Sequence, residues 1–593
     1  DGMFSGKLTN ITDSLKAQYN GTMSFMDFDF GKLLKQSPDT LGKVTFRADI
    51  EGNGYALNTM QAQLNGNIVS ASLVGYQYNN LQLNGNLDHG VANISAKMND
   101  ANIQVNLTGK SDISQAYPSV KADLNIEKLD LKALNLYQDS LAIKGNLSVD
   151  LASSNPNKPL GEIIAKNLVF NHNKNKIPVS DIKITLKDSA DMQQAFLESG
   201  FMNAKIQGNF QYAELSDVVL TEIGKHFKIP DLTYREVTRP AQFSFNANMI
   251  NHPVYKIFVP ELQELKPVTI QATVDNQKEP SIEAMVSIPL VNYDSIRVEK
   301  INLKFETKAE KASFDANLGL LSMSGFRIQH ASLTSDLIDN TVDFNFLVRD
   351  SVNTNQHGVS GLLAVEDKQY RLNLKENILL DYTRWNTDTG GYITYSPDSL
   401  LVRDMSIRKG NQVLSINTIS DGKKNPIEIK MENIAIGPMI AIVTRDSTLA
   451  SGNLNGRMRL FDYMKSPIYI GSVNIDSLAV TNIPLGNFSF KSTNQREDQI
   501  LVKATLLSDD NDLEVAGNYN TTEKEPLHFK MDLKKMNAKT IEAFSFGELK
   551  RASGTLSGQV DITGSTDAPK LKGSVDFNKV SFNANQLGAQ YFI

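Results

Sequence analysis

The chain has no cysteine, which excludes disulfides, thiolate metal sites and a cysteine nucleophile, and is compatible with an oxidising compartment. Tryptophan is reduced to Trp385, and aromatic residues make up 8% of the sequence, too few for a string of independently packed domains with dense aromatic cores. Histidines are sparse and single. None of His89, His172, His226, His252, His330, His357 and His528 has a histidine two or four residues away, so no metal site is written into a local spacing. No basic stretch is interleaved with aromatics, and the net charge of -6 is spread over 593 residues, which excludes a nucleic-acid partner by electrostatic footprint.

Long apolar runs are missing as well. The longest, "IAIGPMIAIV" at 434–443, is about half the length a bilayer span requires and carries a Gly-Pro pair. The chain opens "DGMFSG", without an initiator methionine, a basic leader or an apolar leader segment, so a processed or cut piece of a longer protein is expected. There is no P-loop, dinucleotide glycine fingerprint or nucleophile elbow. The expectation is therefore no enzyme, no catalytic residue, no cofactor and no metal. The acidic cluster at Asp509, Asp510 and Asp512 reads as a solvated hairpin tip in preference to a calcium loop.

What is present is alternation with a period of two. Leu81, Leu83 and Leu87 are followed by Ala92, Ile94, Ala96 and Met98, then by Ile103, Val105 and Leu107, with polar residues between and turn signals separating the runs. Such runs are half-buried strands in successive antiparallel hairpins. They recur along the chain, at Leu147, Val149 and Leu151 among others, and at the usual spacing they amount to roughly forty to fifty strands. That number far exceeds one ordinary sheet. A helical stripe of Leu215, Val219, Ile223 and Phe227 predicts an amphipathic helix over 213–227, with shorter helices at 31–36, 438–443 and 538–544.

The glycines share the apolar face. Gly66 falls in phase with Leu64 and Ile68, and Gly85 with Leu83 and Leu87. Gly145 is in phase with Leu147, Val149 and Leu151, Gly456 with Leu454, Met458 and Leu460, and Gly471 with Val473 and Ile475. The pattern continues in Gly558 with Leu556, Val560 and Ile562, and in Gly573 with Leu571, Val575 and Phe577. Glycine inside a strand marks a bend or a close backbone approach. On the concave, apolar face of a strongly curved sheet it does both. Paired sheets in separate sandwiches would also use inward glycines, but the strand pattern here runs on without linkers.

A repeat is visible in the last third. Ser451, Gly452, Leu454, Gly456, Pro467, Gly471, Ser472, Val473, Leu485 and Gly486 recur 102 positions later as Ser553, Gly554, Leu556, Gly558, Pro569, Gly573, Ser574, Val575, Leu587 and Gly588. The expected organisation is an N-terminal part at 1–152, a middle part at 153–385 that carries the amphipathic helix, repeats at 386–486 and 487–588, and the start of a further repeat at 589–593.

"SGTLSGQVDITGSTDAPKLKGSVDFNKVSF" and "SGNLNGRMRLFDYMKSPIYIGSVNIDSLAV", with "LGKVTFRADIEGNGYALNTMQAQLNGNI", "GYQYNNLQLNGNLDHG" and "IKGNLSVDLASSNPNKPLGEI", resemble the repeats of the TamB family within the AsmA-like superfamily. The resemblance covers nearly the whole chain and is carried by the order and density of motifs that are individually glycine plus alternation. It implies an all-β, elongated, repetitive antiparallel sheet curled into an open U-shaped, taco-like groove with an apolar interior and a few short amphipathic helices. It further implies a periplasmic protein that conducts phospholipids between inner and outer membrane and supports outer-membrane biogenesis. Two family features are not in this chain: the N-terminal helix that anchors it in the inner membrane and the C-terminal segment that engages a BamA- or TamA-like outer-membrane barrel. Those partners are expected through segments outside it. Two other readings stand beside this one, a chaperone for outer-membrane protein assembly or secretion and a repetitive surface adhesin.

Overall fold

In a computed structural model the chain is nearly all sheet, with 68% of residues in strands and 6% in helices, and the antiparallel sheet is open and not closed into a barrel. The structure describes residues 2–35, 40–189, 192–230, 232–323, 326–366, 369–419, 425–444, 449–464, 466–496, 498–585 and 590–592. The chain divides into two compact units, one of residues 1–225 and 233–322 and the other of 226–232 and 323–593. The boundaries expected at 152/153 and 385/386 fall near the end of the strand Leu141–Ser153 and inside the strand Thr383–Thr387. The expected further repeat at 589–593 has its first and last residues outside the described residues.

Within the first unit each strand pairs antiparallel with its neighbour in sequence, from Gly2–Thr9 to Ala312–Met323, apart from short inserted strands such as Asn175–Val179. Short turns enforce this order, because an antiparallel pair can be joined by a two-residue hairpin whereas a parallel pair needs a long crossover. The second unit follows the same rule but forks once. Strand Asn355–Glu366 pairs at Gly361–Glu366 with Gln369–Leu374 and at Gly358 with Ile378–Leu380. The branches continue as Tyr392–Ser396 and Ser399–Arg403 on one side, and as Thr383–Thr387 and Met405–Lys409 on the other.

Helices pack at the ends of strands. The helix Leu215–Gly224, entered through a 3-10 turn at Tyr212–Glu214, sets Val218 against Phe243, Val274 and Ile282. It ends three residues before Phe227, and its buried line runs through Val218, Thr221 and Glu222, with Leu215, Val219 and Ile223 only half-buried beside it. The expected stripe is displaced because the returning segment covers the helix too: Val237 and Ala241 join the same core, and the Thr221 hydroxyl accepts the Val237 N–H at 3.1 Å. The helices expected at 438–443 and 538–544 are Ile436–Thr444 and Ala538–Phe544, the latter capped by Asn537 Oδ1 accepting from the Lys539 N–H. The N-terminal one is Phe30–Leu34, with Gln36 outside the described residues. Helix Tyr255–Phe258 is too short to leave a periodic signal.

The repeat survives in packing. Ile436, Ala450, Leu454, Leu478 and Val480 belong to one apolar cluster, and Ala538, Ala552, Leu556, Val580 and Phe582, each 102 positions later, belong to another. Register shifts recur at the same interval, between Met431/Ile434 and Leu533/Met536 and between Ser451/Asn453 and Ser553/Thr555. Bulges therefore belong to the repeated plan, where they bend the strand under its covering helix.

Candidate functional site

Residues directly opposite each other in an antiparallel ladder point to the same side of the sheet, so face membership can be followed from strand to strand. In the first unit one such row reads Gly6, Gly21, Ile50, Leu64, Gly85, Ile94, Gly109, Ala122, Val149, Ile163, Ile184, Leu197, Ala204, Ala247, Ile270, Val286, Leu303 and Ala316. It crosses eighteen strands without one polar side chain. One residue along, on the other face, the row reads Lys7, Asn20, Glu51, Gln63, Asn86, Asn93, Lys110, Lys121, Asp150, Glu162, Thr185, Phe196, Lys205, Asn246, Gln271, Met285, Lys304 and Asp315. Only Phe196 and Met285 are apolar there, and the ammonium groups of Lys187 and Lys205 lie 5.5 and 5.3 Å from the Phe196 ring centre, a cation–π cover for a misplaced aromatic.

The residues singled out in the first unit fall on the apolar face. Leu81 stands opposite Met98 and Met98 opposite Val105, Leu83 shares a row with Ala96 and Leu107, and Leu87 faces Ala92. Ile103 faces Leu129, while Leu147, Val149 and Leu151 face Leu124, Ala122 and Val120, and Gly145 faces Ile126. In the second unit a comparable row runs Ile407, Leu414, Met431, Gly456, Val473, Phe490, Ala504, Val515, Met531, Val560 and Gly573. Leu454 faces Ile475, Met458 faces Gly471 and Leu460 faces Tyr469. Leu556 faces Phe577, Gly558 faces Val575, and Ile562 faces Leu571. The two sets line faces of different units.

The first unit's face carries more than was singled out. Phe25 stacks on Phe46 with ring centres 5.0 Å apart, and Phe28 and Phe30 pack around Phe25. The run "MSFMDFDF" hides this cluster because Phe25 and Phe28 both reach it only through a register shift between them. Ile163, Ile184, Leu197, Ile270, Val286 and Leu303 were findable by the same alternation that located Leu83.

Large and small residues oppose each other along these rows. Gly66 lies opposite Leu83, Gly85 between Leu64 and Ile94, Gly456 between Met431 and Val473, and Gly573 opposite Val560. The glycines are of two kinds. A methyl added at Gly66 or Gly85 would meet its nearest atom at 3.5 Å, and at Gly471 at 3.7 Å, ordinary contact distances. At Gly145 it would lie 2.7 Å from a Leu168 methyl and at Gly456 2.9 Å from the Met431 methyl. At Gly558 and Gly573 it would collide with the carbonyl oxygens of Ser574 and Gln559 on the neighbouring strand, and Gly558 has a φ of 146°. There the glycine serves close backbone approach, whereas Gly66 and Gly85 keep bulk out of an open face.

The apolar face is only half covered. Leu81, Leu83, Leu87, Val149 and Leu151 are half-buried, where the inner face of a sandwich would bury them fully. In the second unit Val560 is 7% exposed while Leu571, on a strand whose outer edge pairs only at Ser581–Asn583 among the described residues, is 68% exposed. At the fork, Phe346, Val348, Val359, Ile378 and Leu380 line a cavity of about 690 Å³ together with His357. Burial pushes the His357 imidazole below its ordinary pKa, against the opposing pull of Asp381, and its Nδ1 accepts the Asp381 N–H at 3.1 Å. Ion pairs such as Lys121–Asp150 at 2.9 Å and Lys183–Glu162 at 2.8 Å lie on the other face, where the hydrogen bond each ammonium donates to its partner carboxylate holds the lysine pKa above the ordinary range.

Among the described residues there is no cluster of three or more His, Cys, Asp or Glu side chains able to hold a metal, and no helix long and apolar enough to cross a membrane. Asp509, Asp510 and Asp512 sit around a tight turn in which Lys535 Nζ donates to the Asp509 carbonyl at 2.6 Å. What the geometry offers chemically is apolar surface, continuous and accessible, on one side of a sheet whose other side is hydrophilic. Compared with known protein families, curated proteins and solved structures, the chain returns no match.

Proposed function

We propose that the apolar faces are troughs that carry the acyl chains of phospholipids while the head groups remain in water. The observation that supports this reading is the eighteen-strand row without a polar side chain, half-exposed along Leu81–Leu87 and Val149–Leu151. Strands about 4.8 Å apart make that row roughly 80 Å long, measured along the sheet. A methylene moved out of water gains about 0.8 kcal/mol, so two acyl chains of about thirty carbons in all avoid a cost on the order of 20 kcal/mol. A surface as oily as a bilayer offsets most of it, and transfer then needs no catalytic group. In this reading the chain works in the periplasm of a double-membraned bacterium, between inner and outer membrane, with the anchor and a BamA- or TamA-like barrel reached through segments outside it.

Parity makes the test a one-residue test. A photo-reactive residue at Ile94, Val149, Ile562, Val575 or Phe577 is expected to capture phospholipid, and one at Asn93, Asp150, Asp561, Ser574 or Asp576 is not. Capture of equal strength at Val149 and Asp150 sinks the trough. Mass spectrometry of an organic extract of the purified chain separates the rivals: phospholipid supports the conduit, bound peptide moves the assembly chaperone to first place, and neither points to the adhesin.

A further inference from the structure

The hydrophilic face of the second unit holds a site of another kind. Two adjacent rows there read Arg459, Ile470, Thr493, Leu501 and Arg457, Ser472, Lys491, Lys503. Together with Phe461 they line a depression of about 530 Å³. Ile470 and Leu501 are 48% and 45% exposed in its floor, on a face whose other members are mostly polar. Lys491 and Lys503 stand directly opposite one another, as do Lys430 and Arg457 next to them, an unfavourable arrangement of like charges on a sheet. Neighbouring carboxylates answer part of this charge. Glu428 lies 3.6 Å from Arg457 and 2.9 Å from Arg459, Glu514 lies 2.8 Å from Lys503, and Lys430 pairs with Glu432. Among the described residues the four cations lining the depression still outnumber the carboxylates within ion-pair distance of them, Glu428 and Glu514.

The repeat supplies an internal contrast. On the trough side the two copies agree, with Gly456 and Val473 matched by Gly558 and Val575. On the hydrophilic side Arg457, Arg459 and Ile470 are replaced 102 positions later by Gln559, Asp561 and Lys572. The scaffold does not need Arg457, Arg459 or the exposed isoleucine, since its second copy forms the same strands with Gln559, Asp561 and Lys572 in their places.

We infer that this depression binds one anionic phospholipid molecule, its phosphate between Lys491, Lys503 and Arg457 and the apolar root of its acyl chains on Ile470 and Leu501. Guanidinium and ammonium donors suit phosphate oxygens, and the apolar floor beside them selects an amphiphile over a bare ion. The inference stands on the hydrophilic face and is independent of what the trough carries.

Calorimetric titration of the whole chain with dihexanoyl phosphatidic acid, below its micelle concentration, is expected to show saturable binding, at least tenfold tighter than inorganic phosphate or dihexanoyl phosphatidylcholine. Lys491→Gln/Lys503→Gln should weaken it tenfold or more and Ile470→Ser/Leu501→Ser at least fivefold, with thermal melting confirming that both remain folded and the single Lys491→Gln serving if the pair does not. Lys530→Gln/Lys572→Gln, which removes two cations from the same row, should leave it unchanged. Phosphate binding as tightly as the lipid, an equal loss in the Lys530/Lys572 pair, or no saturable heat overturns the site.

Discussion

Strands Gln61–Asp112 of the first unit and Asn511–Ala584 of the second are written in the same alternation, yet they make different surfaces. In the first, Leu81, Leu83 and Leu87 are half-buried, and a methyl group would fit over Gly66 or Gly85. In the second, helix Ala538–Phe544 lies over one end of the strands, Leu556 and Val560 are buried, and Gly558 and Gly573 press on the neighbouring backbone. Each region also ties down a turn with one buried polar side chain. Asp100 accepts from the Asn79 and Asn102 N–H groups and the Tyr76 hydroxyl. Asn511 donates to the Leu485 carbonyl and accepts from the Asn537 N–H and the Thr540 hydroxyl. Alternation decides which side chains share a face, while the inserted helix decides whether that face stays open.

The largest expected effect breaks this contrast at its glycines. Gly558→Ala and Gly573→Ala should each destabilise the second unit by about 2–3 kcal/mol, through backbone displacement and, at Gly558, an unfavourable φ. Gly85→Ala should change stability by less than about 0.5 kcal/mol. Denaturant unfolding of the three variants checks this, and a Gly85→Ala as costly as Gly558→Ala would erase the distinction. Next comes a charge in the open face. Val149→Glu should leave the half-exposed strand folded and oppose passing acyl chains by roughly 2–3 kcal/mol, by analogy with a charge at mid-bilayer, read as lost phospholipid capture at Ile94 and Ile163. Val560→Glu, in the covered region, should lose stability as well.

Asn511→Ala strands the Asn537 N–H and takes the acceptor from the Thr540 hydroxyl, while the Leu485 carbonyl keeps the Ser508 hydroxyl as a donor, and it should cost about 2 kcal/mol, measured as a lower melting temperature of the second unit at every pH. The Asp100 tie differs in being charged. Burial alone would raise its pKa, but the hydrogen bonds from Asn102, Tyr76 and Asn79 outweigh that and hold it below the ordinary carboxylate value. A depressed folded pKa means that the unfolded chain binds the proton more readily, so this stabilisation is present above about pH 4 and is lost as pH falls through the folded value. Melting of wild type should fall on acidification below that point, and Asp100→Asn should flatten that part of the profile. Thr563→Glu, on the hydrophilic face opposite His528, should be silent within about 0.5 kcal/mol in stability and without effect on capture at Ile562.

Much of the fold was legible because period two is a strong constraint. A slip of one residue turns every side chain to the other face, so Leu556 to Ile562 on even numbers and Leu571 to Phe577 on odd ones had to meet, and they do in register. All four expected helices are found within three residues of their expected limits. The one at Leu215–Gly224 buries a different line from the expected stripe, because the returning segment, whose Val237 lies 16 residues beyond Thr221, packs on it. The fork at Asn355–Glu366 left no trace in the alternation, since each branch alternates as an unforked ladder would.

The sequence by itself determined that the chain is antiparallel sheet, which residues share a face, and where a repeat of 102 positions begins again, because these depend on neighbours in the chain and on turns of a few residues. The tertiary structure alone decided which glycines have room and which lie against a carbonyl, which part of the apolar face a helix covers, and that Arg457, Ile470, Lys491 and Leu501 gather in one depression. Those outcomes depend on curvature and on the approach of elements far apart in sequence, and a period-two pattern carries no information about either.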